Sequence, residues 1–218
     1  MENEQLFYIF APEFDLCAIK IRKNMKRIVN LLISSVLAGV CIGLGGYVNL
    51  VMGGIIGAVM FSFGLLSVVH YGLALYTGKS GFFTNRRELT DLLYIIAGNF
   101  VGCWLVSLIF DYASPQYVEN AQKIVDVIAG KSLLAVFLLA IPCGFIMSTA
   151  VKFAREGRFL PLLFGVPLFI VCGFRHSIAD IFYYCAAMDF MFLPWLMAIL
   201  GNFVGCNVHR ALEIAREK

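Results

Sequence analysis

Apolar residues gather in six long runs, roughly 28–48, 53–76, 91–110, 132–151, 159–174 and 190–208, and the charged residues collect in the short stretches between them. About 20 apolar residues carry a helix across the hydrocarbon core of a bilayer, so the pattern predicts an all-α membrane protein with six crossings. Two runs are interrupted. The second breaks after Phe61-Ser-Phe-Gly-Leu-Leu-Ser-Val-Val-His-Tyr-Gly72 into Leu75-Tyr-Thr-Gly-Lys-Ser-Gly81, and the fifth breaks after Gly173 into Phe174-Arg-His-Ser-Ile-Ala-Asp180. Irregular backbone at membrane depth is tolerated only where protein buries it or where it lines a cavity. Each break is therefore expected to be a re-entrant loop facing a passage.

The two breaks belong to an internal repeat. Phe63-Gly64 with Gly72 recurs as Phe164-Gly165 with Gly173, 101 positions on, and the hexapeptide Gly-Asn-Phe-Val-Gly-Cys at 98–103 returns intact at 201–206, an offset of 103. A repeat unit of three crossings must enter the bilayer from opposite faces in its two copies. The expected architecture is a 3+3 inverted repeat, aquaporin-like, with helices two and five broken and their half-helices meeting near the midplane. No Asn-Pro pair occurs in the chain, so the aquaporin loop signature itself is missing. The domain organisation expected is an amphipathic N-terminal segment at 1–27, a six-span domain at 28–210 with halves at 28–111 and 132–210, and a tail at 211–218. The N-terminus has acids ahead of any apolar run and reads as a cytoplasmic lead-in rather than a signal peptide.

Composition agrees with this picture and removes others. Of 218 residues, 61% are hydrophobic and 14% charged, against about 45–50% and about 25% in soluble domains. The formal charge of +3 is too small for a dedicated nucleic-acid binder. Placing both termini on one side puts fourteen Lys and Arg there and only Lys123 and Lys131 opposite, with Arg175 inside a span. By the positive-inside rule both termini are then cytoplasmic, in a multi-pass protein of the plasma or inner membrane. Seven scattered cysteines without a CxxC pair read as packing residues, and the sequence implies no metal and no cofactor. Gly98 with Gly102 and Gly201 with Gly205 have the spacing that lets helix backbones approach closely in lipid. Asn99 and Asn202, amides in apolar spans, need partners and are candidates to steady the re-entrant loops.

The layout of FSFGLL…ALYTGKS, AGNFVGC, GFRHSIADIFYY and LGNFVGC resembles the formate/nitrite transporter family over roughly 20–210. The most specific part is Gly173-Phe-Arg-His-Ser-Ile-Ala179, which matches the family's GFEHSxAN loop except at the charged position and the final Asn. The resemblance implies a homopentamer in the lipid bilayer, each protomer with its own pore for a small inorganic or organic monovalent anion, and no enzyme activity. It places the central pore histidine on His176, the loop threonine on Thr77, and the rest of the pore loop on Arg175, Ser177 and Asp180. Apolar constrictions fall on Phe61 and Phe169 toward the outside and on Leu65, Leu75 and Tyr76 toward the inside. Asn202 matches the family asparagine of span six. The outer-vestibule lysine has no clean match; gapless alignment lands on Ile128, with Lys131 about one turn away. The family's Glu is Arg175 here and its Asn is Asp180, and the segment between Thr77 and Gly98 is about seven residues shorter than the family pattern, so the second half of span two is expected to be abbreviated.

These side chains suggest a mechanism. Rings of Phe, Leu and Tyr offer an ion no hydrogen bonds, and a charge at the bilayer centre costs about 2.5–3.5 kcal/mol even on lenient scales. A neutral weak acid avoids most of that cost. The expected function is passage of formate, nitrite, hydrosulfide or a similar anion with proton exchange near His176, whose imidazole has a reference pKa of about 6.5. Arg175 either faces the pore and raises its positive potential or pairs with Asp180 or another buried acid, the pairing being the reading a lone intramembrane cation favours. Three other functions fit the same residues less well: a non-conducting or sensory protein on this fold, an ammonia pore with His70 and His176 stacked, and a membrane thiol enzyme using Cys172 or Cys185.

Overall fold

A computed structural model describes the backbone of residues 2–114 and 117–216 and the side chains of 18–114 and 117–211. The N-terminal stretch to residue 17 and most of the tail at 211–218 lie outside the described side chains. Among the described residues the chain forms helices only: α1 (Glu2–Met52), α2 (Gly54–His70), α3 (Tyr76–Lys79), α4 (Arg86–Ala113), α5 (Val118–Ala129), α6 (Leu133–Arg155), α7 (Leu160–Val171), α8 (Ser177–Ala186) and α9 (Phe192–Arg216). Four have spans long and apolar enough to cross a membrane, namely Ala18–Met52, Arg86–Ala113, Leu133–Arg155 and Phe192–Ala211. The other two crossings are split, α2 with α3 and α7 with α8. Second copy follows first in order, α6 to α9 repeating α1 to α4, with the amphipathic α5 between them.

The repeat is visible in the packing. Gly39 and Gly98 let α1 and α4 touch: a Cβ on Gly39 would strike the Asn99 carbonyl, and one on Gly98 would strike Ser35. Gly144 against the Asn202 carbonyl and Gly201 against Ala140 do the same for α6 and α9. The outward surface carries Ile55, Ile56, Phe63, Leu93, Ile109, Leu134 and Phe164, all exposed as lipid-facing side chains would be.

Two faces are defined by contacts at the helix ends. Asn49, Leu50, α5 and Tyr183 meet at one: Asn49 Nδ2 donates to Tyr183 Oη (3.1 Å) and Asn120 Nδ2 to the Leu50 carbonyl (3.0 Å). The other, the terminal face, gathers Arg27 with Asp91, Arg155 with Gly78, and Asn207 with Ser80. There the start of α4 is capped: the Asn85 side chain accepts from Glu88 N (3.0 Å), and the Glu88 carboxylate accepts from Thr84 N (2.7 Å), one residue before the cap.

Candidate functional site

Both broken helices stop for the same local reason. Gly72 and Gly173 take φ values of 64° and 67°, a left-handed conformation that costs glycine little. At each, two backbone bonds close the helix end: Gly72 N to Val69 O with Leu73 N to Val68 O, and Gly173 N to Ile170 O with Phe174 N to Phe169 O. That pairing is the Schellman motif. The chain then runs extended for a few residues and re-enters helix at Tyr76 and at Ser177.

Re-entry leaves backbone groups at membrane depth that an asparagine from the neighbouring span satisfies. Asn99 Nδ2 donates to Ser35 O (2.8 Å) and Ala74 O (2.9 Å), and its Oδ1 accepts from Tyr76 N (3.0 Å). Asn202 repeats this from α9, donating to Ala140 O and Arg175 O (both 2.8 Å) and accepting from Ser177 N (2.8 Å). The buried thiols of the same hexapeptides reach across the repeat. Cys103 Sγ lies 3.5 Å from Ile178 O in the second half, and Cys206 Sγ 3.4 Å from Thr77 O in the first.

His176 and Thr77 meet where the two half-helices do. The His176 side chain caps α8, its Nδ1 accepting from Ala179 N (3.1 Å), and its Nε2 lies 3.1 Å from Thr77 Oγ1. Both residues are buried. The ring stacks on Phe169 with centroids 5.4 Å apart, and Phe169 meets Phe61 edge-on at 6.0 Å. Leu65, Leu75 and Tyr76 are buried too, and the Tyr76 hydroxyl donates to Ile199 O (3.0 Å) instead of lying free. Ser177 Oγ is buried without a hydrogen-bond partner among the described residues.

Cavities lie at both faces. On the α5 side, a cavity of about 340 Å³ is bounded by Phe169, Arg175, His176, Asp180, Tyr183, Asn49 and Lys123. On the terminal side, one of about 290 Å³ is bounded by Lys79, Phe82, Phe83, Glu88, Asp91 and Arg155. Arg175 pairs with Asp180, its Nε 3.2 Å from Oδ2 and its Nη2 bonded to Oδ1, with both residues buried. The intramembrane cation has the acid partner that its burial demands.

Some expected positions shift. Thr77, Ser177 and Asp180, expected in loops, stand in the first turns of α3 and α8, because helix resumes within four residues of each glycine break once an asparagine side chain takes the first amide hydrogen. Lys131 lies in the turn after α5, outside the residues bounding the α5-side cavity, whereas Lys123, two turns earlier on α5, is among them. Nothing in the repeat fixes the register of α5, so sequence pattern had no handle on it. Lys79 and Arg155 went unmarked as well, although Lys79 stands two residues past Thr77. The abbreviation of span two is present: α3 has 4 residues and its counterpart α8 has 10. His70 is exposed with its ring on Tyr71, whereas His176 is buried against Phe169, so the two imidazoles form no stack.

A family model described as Formate/nitrite transporter matches residues 15–213. Formate channel FocA of Haemophilus influenzae is 22% identical over 147 residues, 59% of this chain and 52% of that protein. The chain thus spans about half the length of that relative. Uncharacterized transporter YrhG of Bacillus subtilis is 25% identical over 241 residues, covering 90% of this chain and 89% of that one. Among solved structures, a pentameric formate channel with formate bound superposes with a TM-score of 0.77 at 19% identity, covering 88% of this chain and 98% of that chain. The inverted repeat and its broken helices are the shared fold, and the chain is a multi-pass membrane protein.

Proposed function

The chain belongs to the formate/nitrite transporter family, and from that premise we propose that it is a channel for small monovalent weak-acid anions such as formate, nitrite or hydrosulfide. The observation that carries this reading is a buried imidazole, hydrogen-bonded to Thr77 where the two half-helices meet and stacked on Phe169. We take the α5 face as external and the terminal face, with its excess of Lys and Arg, as cytoplasmic. The protein works as a homopentamer with one conduit per protomer, as the resemblance to a pentameric channel supports.

An anion entering from the α5 side meets a cavity with two cations, Lys123 and Arg175, and one carboxylate, Asp180. It reaches Phe169 and His176 at the cavity floor. Phe61 stands with Phe169 on this outer side, and beyond the histidine Leu65 and Leu75 offer no hydrogen bonds, so a bare charge would lose hydration without replacement. Because Nδ1 accepts the Ala179 amide hydrogen, a neutral ring carries its hydrogen on Nε2 and donates it to Thr77 Oγ1. The hydroxyl, having accepted, keeps its own hydrogen free to donate. The Thr77–His176 pair thus offers the anion a donor at the edge of the slit until solvent protonates it, and the neutral acid crosses.

The test is stopped-flow uptake by reconstituted protein across formate, nitrite, hydrosulfide, lactate and ammonium at two pH values, for the wild type and His176→Asn. Asparagine is a good N-cap, so α8 keeps its start while the ring is lost. Weak-acid uptake is expected to fall sharply and to lose its pH dependence, with assembly intact. Near-normal flux with the same pH profile refutes the role of His176, and uptake of none of the acids by the wild type refutes the channel.

A further inference from the structure

We infer that the terminal face carries, apart from the conduit, a site for the phosphodiester of an anionic lipid headgroup, set between α1 and the first turns of α4. Two helical stripes face each other there. Lys20, Lys23, Asn24 and Arg27 recur on α1 at the three- and four-residue spacing that aligns side chains on one helix face, and Arg87, Thr90, Asp91 and Tyr94 do so on α4. Together they bound a groove of about 690 Å³.

The groove holds four cations and a single carboxylate, and that carboxylate is already engaged, because Asp91 binds the Arg27 guanidinium through both its oxygens. Arg87 is steered across the groove by a bond to Asn24 Oδ1. Lys20 and Lys23 make no ion pair among the described residues. Converging cations around a concave surface are a recognition site for phosphate oxygens, whereas cations spread on a convex helix face are merely hydrated.

Position favours a lipid over a free ion. Arg27 immediately precedes the apolar run of α1, Asp91 stands at the start of that of α4, and Tyr94 is partly exposed beside them, as aromatics at a membrane boundary are. Ile28 lines the groove at the start of the α1 apolar run, and Val101 and Leu105, seven and eleven residues past Tyr94 on the same face of α4, are exposed deeper in the span and give acyl chains an apolar surface below the headgroup. Free phosphate would fill the groove and leave those side chains bare.

The experiment is native mass spectrometry of the purified full chain with dioctanoyl phosphatidylglycerol, dioctanoyl phosphatidylcholine or inorganic phosphate. Phosphatidylglycerol is expected to bind as one adduct per protomer and phosphatidylcholine not to bind. The triple variant Lys20→Gln, Lys23→Gln, Arg87→Gln should weaken the adduct by about tenfold or more, since each basic residue near an anionic surface contributes separately. Lys131→Gln, on the opposite face, should leave it unchanged, and the triple variant should still assemble and take up weak acids in phosphatidylcholine vesicles. Equal retention of phosphatidylglycerol by the triple variant overturns the site, as do equal binding of phosphatidylcholine and no adduct on the wild type. Inorganic phosphate displacing the adduct at the lipid's own concentration assigns the groove to a soluble anion and overturns the lipid assignment.

Discussion

Thr77 Oγ1 and His176 Nε2 lie 3.1 Å apart although 99 residues separate them in the chain, and the bond joins the two halves of the repeat at its centre. The partners are not symmetry mates: at the 101-residue offset, Thr77 corresponds to Ile178 and His176 to Leu75. A two-fold scaffold thus carries an asymmetric polar pair where its halves meet.

Thr77→Val keeps the shape of the side chain and removes the acceptor, leaving a buried Nε2–H unpaired at a cost of about 1–3 kcal/mol. Weak-acid uptake in proteoliposomes is expected to fall about tenfold or more on that scale, whereas Thr77→Ser, which restores the hydroxyl, should recover most of it. Equal uptake by the Val and Ser variants would show that the hydroxyl is idle.

Asn99→Ala orphans Ala74 O and the Tyr76 amide hydrogen, and Asn202→Ala orphans Arg175 O and the Ser177 amide hydrogen, each also removing a second bond from a helical carbonyl. Each variant should lower the midpoint of thermal unfolding in detergent, with a loss of several kcal/mol at about 1–3 kcal/mol per unsatisfied group. Their effects on transport should differ. Asn202 holds Arg175 and Ser177, the residues flanking His176, so its loss should depress uptake more than the loss of Asn99 does.

Much of this site could be read from the chain before any coordinates. Six apolar runs, two interruptions and a returning hexapeptide suffice for the inverted repeat, because lipid leaves backbone few alternatives. An amide in an apolar span signals an unmet backbone group, which is why Asn99 and Asn202 stood out. The glycines mark where the preceding helices stop, but the onsets of α3 and α8 carry no such mark, because they depend on side-chain amides from distant spans. Lys123 was missed because α5 belongs to neither copy of the repeat. The cross-repeat contacts of Cys103 and Cys206 are marked in the sequence only by the returning hexapeptide that each residue closes, since a thiol among apolar residues otherwise reads as packing.

The hexapeptide glycines are a steric matter. A Cβ on Gly102 would run into the Val36 carbonyl, and one on Gly205 into the Ile141 carbonyl, both backbone atoms that cannot swing aside. Gly102→Ala and Gly205→Ala should each cost at least the ~1–3 kcal/mol typical of overpacking, read as lower yield and a lower unfolding midpoint. Gly78→Ala is the control, because a Cβ there meets only ordinary contacts at 3.8 Å or more.

Arg175 and Asp180 form a buried ion pair beside the histidine, and a double-mutant cycle separates its structural from its electrostatic share. Removing one partner leaves an uncompensated charge in the interior, a loss of about 3–5 kcal/mol, whereas replacing both with apolar residues of similar volume is often close to neutral. Arg175→Met and Asp180→Leu should therefore each destabilise the protein strongly, and the double variant should recover most of the unfolding midpoint. If the pair serves only to neutralise itself, the double variant also keeps the wild-type uptake and pH profile. Should it recover stability yet lose anion uptake, Arg175 acts on the permeating ion through the α5-side cavity that it shares with Lys123. The two readouts move independently, so stability and flux measured on the same four proteins distinguish a buried strut from a selectivity element.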